Sequence, residues 1–353
     1  MRSLFFMEPT GLTFHLANPY GAVLAQAMTH LGVELVAGDR EQEWDEQWLV
    51  ENRQKFDVLH LHWPHYHYDT GDLEGSLARC TQFISYLSKA RALGYKVVWT
   101  MHNFYPHEST SRELDRLARL AITQLASALI VHCNYAKDLI REHFNREEGV
   151  FVIPHGHFID VYPNTISRSQ ARQRLNLPTD NFIYLYFGNI RPYKGVEHLV
   201  TAFSKLPDDD ATLLFAGKVY TAYGETLAKQ LEEADPRVVV RPSPHIPLDD
   251  LQLYLNAADV VALPFQSVLT SGSAITALGF SRPVIMPAIG CLPELIDDSM
   301  GILYDPQQPD ALEKALGEIR QRDMAECSDA AYRHAQSLSW DKIAHQVLEV
   351  YQY

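Results

Sequence analysis

Cysteine is scarce in this chain: four in 353 residues, at Cys80, Cys133, Cys291 and Cys327, far apart and in no CxxC pair. So few scattered thiols exclude a disulfide-built scaffold and suit a reducing, cytoplasmic setting. Long apolar runs are missing too. No stretch of about 18 apolar residues occurs, so no segment reads as a membrane span. The opening "MRSLFFMEPTG" has too short an apolar stretch before Glu8 and Pro9 to be a secretion signal, and reads as a first strand. Positive charge is in deficit, with 30 Lys and Arg against 44 Asp and Glu, a net charge of -14. That balance speaks against a general nucleic-acid partner, whose phosphates need a basic surface. It leaves room for local basic pockets. Fixed-period repeats and low-complexity tracts are absent. No GxGxxG follows the first expected strand, which argues against a dinucleotide-dependent dehydrogenase.

What the chain does have is the composition of a folded globular protein, 46% hydrophobic and 21% charged, at a length that favours two domains. Short apolar runs alternate with helical patterns. Strands are expected at 4–7, 33–37, 58–61, 96–100, 128–132 and 150–153, and again at 182–187, 212–216, 238–241, 260–263, 284–286 and 302–304. Runs such as "VVW" and "IYLYF" are apolar on both faces, as parallel strands covered by helices require. Alternation of this kind, twice over, predicts two doubly wound α/β domains of Rossmann type. Pro163 and Asn164 break the pattern, so the domains are expected at 1–164 and 165–339, with a closing helix in 340–353 packed back on the first. Ligands in such folds bind at the carboxyl ends of the strands, here in a cleft between the domains.

The strongest local signal is "YFGNIRPYKGVEHLVTAF", residues 186–203. A strand ends at Phe187, Gly188 allows close approach of a ligand to the backbone, and a helix starts near Gly195. The fork of Arg191, the point charge of Lys194 and the helix N-terminus together suit a diphosphate.

This stretch resembles the Gly-x-x-Arg-x-x-Lys-Gly segment of the retaining family 4 glycosyltransferases, which have the GT-B fold of two Rossmann-like domains. The likeness continues through "LLFAG" (213–217), "HIPLDDLQLYLNAADVVALPF" (245–265), "SRPVIMPAIGCLPELI" (281–296), "MGILYDP" (300–306) and "LSWDKIA" (338–344). The first half matches more loosely, through "VVWTMHN", "ALIVHCNYAKD" and "VIPHGHF". The resemblance implies transfer of a sugar from a nucleotide diphosphate donor, GDP-mannose ahead of a UDP-sugar, to a hydroxyl of a glycan or lipid-linked acceptor. It implies no catalytic metal and no cofactor beyond the donor. It leaves room for association with the inner face of a membrane, and the oligomeric state is not read. A nucleotide-sugar epimerase of the same fold and a non-catalytic sugar-nucleotide binding subunit are the alternatives. On this likeness Gly188, Arg191, Lys194, Thr270, Ser271, Gly272, Ser273, Thr276 and Glu294 are expected to bind the donor.

One departure matters. Val268 and Thr276 stand where the family carries its Glu-x7-Glu pair, with "LTSGSAITAL" around them. Thr270, Ser271 and Ser273 offer hydroxyls at a helix start, a clamp for phosphate or sugar in place of carboxylates. The likeness is then to bacterial exopolysaccharide β-mannosyl- and related glycosyltransferases outside the main family, and inversion at the anomeric carbon is expected.

In the first domain "TMHNFYPHE" (100–108) places His102 beside the donor sugar by likeness to the family's Thr-x-His motif, with His107 and Glu108 near enough to share the cleft. "NPYG" (18–21) starts a helix that Asn18 can cap, and Asn18 and Tyr20 are candidates for the acceptor side. "HLHWPHYHYD" (60–69) puts His60 and His62 on one face of a strand, while Pro64 ends it and sends His65 and His67 into a loop. These histidines have three readings: structural hydrogen bonding, acceptor or base duty for His62 and His65, and a metal, which is set aside because the diphosphate is met by Arg, Lys and helix dipoles. Asp69 and Asp72 are rival bases. The expected catalytic set is His102, Glu108, Asp72, Arg191 and Lys194.

Overall fold

A computed structural model of the protein describes residues 1–6, 12, 18–38, 45–207, 209–217, 222–242 and 246–353. All twelve expected strands form. They are β1 (Arg2–Phe6), β2 (Glu34–Ala37), β3 (Val58–Leu61), β4 (Lys96–Thr100), β5 (Ala128–Val131), β6 (Val150–Val152), β7 (Phe182–Phe187), β8 (Ala211–Gly217), β9 (Val238–Pro242), β10 (Val260–Ala262), β11 (Val284–Pro287) and β12 (Gly301–Tyr304). Met7, expected to end the first strand, and His245, which opens one of the matched segments, lie outside the described residues.

The strands make two six-stranded parallel sheets, ordered β2-β1-β3-β4-β5-β6 and β12-β11-β10-β7-β8-β9. Burial on both faces explains their sequences: β3, β5, β8 and β11 are buried at every position. The chain divides into two compact units, Met1–Gly156 with Leu338–Tyr353, and His157–Ser337. In the first unit the closing helix Trp340–Gln352 packs on helix Tyr20–His30. Trp340 lies 5.1 Å, ring to ring, from Tyr20. The Tyr351 hydroxyl reaches His60 Nδ1 at 2.7 Å.

Each sheet reverses its winding once, between β1 and β3 in the first and between β7 and β10 in the second. Such switch points leave a crevice at the carboxyl ends of the two strands, because their crossover helices go to opposite faces. His62 directly follows β3, and Gly188 directly follows β7.

Candidate functional site

In the second unit the switch point is built by backbone packed on backbone. Gly195 has φ +67°, and a Cβ there would sit 2.1 Å from the Pro264 carbonyl oxygen. Only glycine fits, and the approach is held by Gln266 N–H donating to the Tyr193 carbonyl at 2.9 Å. The turn at Pro192–Lys194 is thereby fixed against the segment that leaves β10. The Lys194 ammonium lies 4.5 Å from the centre of the Phe265 ring and 5.2 Å from that of Tyr193. Burial among these rings, followed by the charge of Arg191, brings its pKa down to about 8. Arg191 is partly buried at the start of the same turn, its carbonyl accepting from Lys194 N–H at 3.0 Å. Gly188, at φ +125°, lies beside Ser273, whose Oγ would be 3.8 Å from a Cβ placed on it. Gly188, Arg191, Lys194 and Ser273 thus belong to one end of one sheet.

Of the hydroxyls expected to form a clamp, two are engaged within the helix they begin. Ser271 caps the helix Gly272–Gly279, its Oγ accepting from Ala274 N–H at 3.1 Å, and it is buried. Thr276, also buried, donates back to the Gly272 carbonyl at 2.8 Å. Both hydroxyls serve the helix, which leaves the partly exposed Thr270 and Ser273 as the side chains able to turn outward. Glu294 is exposed on the short helix Leu292–Leu295.

In the first unit four successive parallel strands each deliver a histidine just past their carboxyl end: His62 after β3, His102 after β4, His132 after β5 and His155 after β6. All four are buried. His62 Nδ1 is 2.8 Å from His102 Nε2, His102 Nδ1 is 3.2 Å from His132 Nε2, and His132 Nδ1 is 2.9 Å from the Ile153 carbonyl oxygen. Tyr20 stands edge-on to all four rings, at centroid distances of 5.7, 5.0, 6.1 and 5.0 Å. Trp63 stacks on His102 at 4.7 Å. His60, one alternation back on β3, bonds Tyr351 and Thr100, each at 2.7 Å. Burial holds these imidazoles neutral. It lowers the pKa of His132 to about 4 and those of His60 and His155 to about 3. The His62 and His102 values are also driven well below the usual imidazole value, by burial first and then by their histidine neighbours.

The other expected residues fall as follows. Asn18 accepts from Tyr20 N–H at 3.1 Å and so braces the helix start. Tyr20 is fully buried, its ring packed edge-on against the imidazoles, and burial raises its pKa. Pro64 does end β3, but 64–67 form a 3-10 turn. There His65 is partly buried, and burial, then Arg119, lowers its pKa to about 4. Asp72 is a helix cap, with one carboxylate oxygen accepting from Gly75 N–H at 2.8 Å and the other from Thr70 at 3.0 Å. These bonds, that of Gly75 first, keep its pKa below the ordinary value, the opposite of what a general base needs. Glu108 is exposed in the loop after β4. Among the described residues no three His, Cys, Asp or Glu side chains group as metal ligands. Sequence reasoning missed His132, His155 and Phe265. The recurrence of histidine at consecutive strand ends was the available signal.

Residues 167–334 match the family model described as "Glycosyl transferases group 1". Among sequence relatives, the chain is 31% identical over 240 residues to a GDP-mannose:glycolipid 4-beta-D-mannosyltransferase of Xanthomonas campestris pv. campestris, covering 66% of this chain and 62% of that one. It is 31% identical over 259 residues to a D-inositol 3-phosphate glycosyltransferase of Streptomyces griseus subsp. griseus, covering 69% and 52%. The chain therefore spans less than two thirds of the length of these relatives. In fold it is similar to a sucrose-phosphate synthase from Thermosynechococcus elongatus, with TM-score 0.75, 19% identity and coverage of 99% and 98%. It is similar as well to Anabaena HepE in complex with UDP-glucose, with TM-score 0.72, 19% identity and the same coverage. Both sheets thus follow the GT-B glycosyltransferase architecture.

Proposed function

We propose, from the membership of residues 167–334 in the glycosyl transferases group 1 family, that this protein transfers a sugar from a nucleotide diphosphate to an acceptor hydroxyl. The observation that carries the reading is the turn pinned by Gly195. It holds the Lys194 ammonium against Phe265, partly desolvated, one turn from Arg191 and at the same sheet end as Ser273. A cation held in place before the reaction stabilises the charge that gathers on a departing diphosphate. Arg191 adds a planar fork matched to phosphate oxygens, and Thr270 and Ser273 supply hydroxyl donors. Thr276, Ser271 and Gly272 shape that loop through the helix cap.

GDP-mannose is the favoured donor and a glycolipid the favoured acceptor, on the strength of the 31% identical mannosyltransferase. The reaction needs no metal, because cationic side chains take the diphosphate charge. Mixing the protein with GDP-, UDP- and ADP-sugars, with and without chelator and candidate acceptors, tests all of this at once. Nucleotide release that depends on acceptor and ignores chelator is expected. Release without any acceptor would point to hydrolysis or rearrangement, and none with any donor would sink the reading.

No described helix is long and apolar enough to cross a membrane. Helices Leu73–Ala92 and Arg112–Leu125 expose Leu73, Leu77, Leu117 and Leu120 at 41–58%, and these support peripheral contact with the lipid of a glycolipid acceptor. Failure of lipid vesicles to co-sediment the protein would exclude that contact.

A further inference from the structure

A cavity of about 460 Å³ opens in the second unit next to the turn that carries Lys194, with neither Lys194 nor Arg191 in its wall. One side is a single face of helix Val196–Phe203, carrying His198, Thr201 and Ala202, with Lys205 in step beyond its end. Facing it are Tyr304, at the end of β12, and the start of helix Ala311–Ile319. Pro264–Gln266, just past β10, and Ile289, just past β11, complete the lining.

The chemistry of this wall selects its occupant. The Lys205 ammonium lies 3.0 Å from an Asp310 carboxylate oxygen and 3.1 Å from one of Glu313. The cation is therefore spent, with one carboxylate in excess, and a phosphate finds no charge to pair with. Pro264, Ile289 and Leu312 supply apolar surface. The Tyr304 hydroxyl and the Gln266 and Gln308 amides supply uncharged groups that both donate and accept. Apolar lining with a few such groups, at this volume, is the make-up of a small-molecule site. A sugar ring matches it, with apolar C–H faces and hydroxyls around its edge.

The lining also holds the neighbouring turn. The Pro264 carbonyl packs on Gly195, the Phe265 ring lies 4.5 Å from the Lys194 ammonium, and Gln266 N–H donates to the Tyr193 carbonyl at 2.9 Å. The helix that carries His198 and Thr201 begins where the turn ends.

We infer that this cavity binds an uncharged sugar, and that its occupant acts on the Lys194 turn through the Pro264–Gln266 segment. A sugar packed on that segment favours the arrangement in which it bears on the turn, the same one that holds Lys194 for a diphosphate. Sugar and nucleotide then tighten each other's binding by one common factor. This coupling rests on the donor reading above, whereas the sugar site does not.

Protein labelled with ¹³C in its isoleucine and leucine methyls reads the cavity directly, because Ile289 and Leu312 line it. Titration with methyl α-D-mannopyranoside, methyl β-D-glucopyranoside and cellobiose should shift both residues' signals with at least one of the three. Inorganic phosphate should leave them in place. Signals unmoved by all three sugars, or moved by phosphate instead, overturn the site, and the wild-type spectrum requires no variant to fold. Calorimetric titration of GDP and UDP, with and without the binding sugar, reads the coupling. The nucleotide Kd should fall about 10-fold when sugar is present, within the usual range for coupled sites. An unchanged Kd overturns the coupling. Thr201→Trp, at an exposed helical position on the wall, should fill the cavity and abolish both the methyl shifts and the effect on Kd. A sugar effect on Kd that survives in this variant comes from another place, the donor's own sugar position included, and overturns the proposal. Failure of the wild-type protein to bind GDP, UDP or ADP would instead remove the donor reading and the coupling with it, and the methyl shifts alone would then decide the sugar site.

Discussion

The Lys194 ammonium sits 4.5 Å from the centre of the Phe265 ring, and on the proposed reading this pairing sets the pH range in which the turn can hold a donor. Burial there, with Arg191 next to it, brings the lysine to about pH 8 from its ordinary 10.5. The charged form is the one that binds a diphosphate, so kcat/KM should fall as pH rises through about 8. Once donor is bound, its phosphates favour the ammonium, and the corresponding limb of kcat should lie at higher pH. Lys194→Arg, which stays charged throughout, should remove the limb. A pH profile flat to pH 10 in the wild-type protein would show that Lys194 is not the group being titrated.

Truncating either cation should damage turnover far more than folding. Arg191→Ala and Lys194→Ala are each expected to lower kcat by roughly 10²–10³-fold, the loss typical of one preorganised contact to developing negative charge. Neither side chain is fully buried, so melting temperatures should move by no more than about 2–4 °C, the shift that 1 kcal/mol makes in a unit of this size. Single variants that keep near-wild-type rates would place the diphosphate elsewhere.

The sheets were legible because parallel strands buried on both faces leave unbroken apolar runs, and "IYLYF" became β7 as it stands. The turn proposed to hold phosphate was legible as a turn because its glycines, arginine and lysine are contiguous. The surroundings of Lys194 were not, since Phe265 reaches it only through the packing of Gly195 on Pro264. The imidazole chain was hidden for the same kind of reason. His62, His102 and His132 are far apart in sequence and meet only because β3, β4 and β5 are neighbours in register, with Leu61 opposite Trp99 and Trp99 opposite Leu129. Asp72 misled because a carboxylate in a polar loop reads the same whether it caps a helix or takes a proton. The main chain decides between them, and the N–H of Gly75 is already bound to it.

Buried neutral histidines make the first unit sensitive to acid. His60, His62, His102, His132 and His155 all have pKa values depressed by burial. In the unfolded chain they titrate near 6.5, so between that value and their folded values the unfolded state binds more protons. Their contribution is complete above about pH 6.5 and is lost as pH falls towards 4 and then 3. Each ring that takes up a proton only on unfolding adds about 1.4 kcal/mol per pH unit to the loss. All five tryptophans lie within the sequence range of this unit, so their fluorescence reports its unfolding selectively. The urea midpoint read this way should fall steeply from pH 6.5 to pH 5. A midpoint constant over that range would mean the rings are protonated in the folded protein.

Stereochemistry follows from which side of the sugar the chain can serve. Val268 and Thr276 leave the second unit without the two carboxylates of the resembled family, and Thr276 is buried with its hydroxyl turned to the Gly272 carbonyl. An inverting displacement requires instead a base that receives the hydroxyl proton as the acceptor attacks from the face opposite the leaving diphosphate. Of the groups first considered, Asp72 is spent on a helix cap and Glu108 stands exposed in a loop. An α-linked sugar nucleotide should therefore give a β-linked product, read from the one-bond carbon–proton coupling at the anomeric centre. An α-linked product from the wild-type protein would mean retention, and the single-displacement reading would then fall.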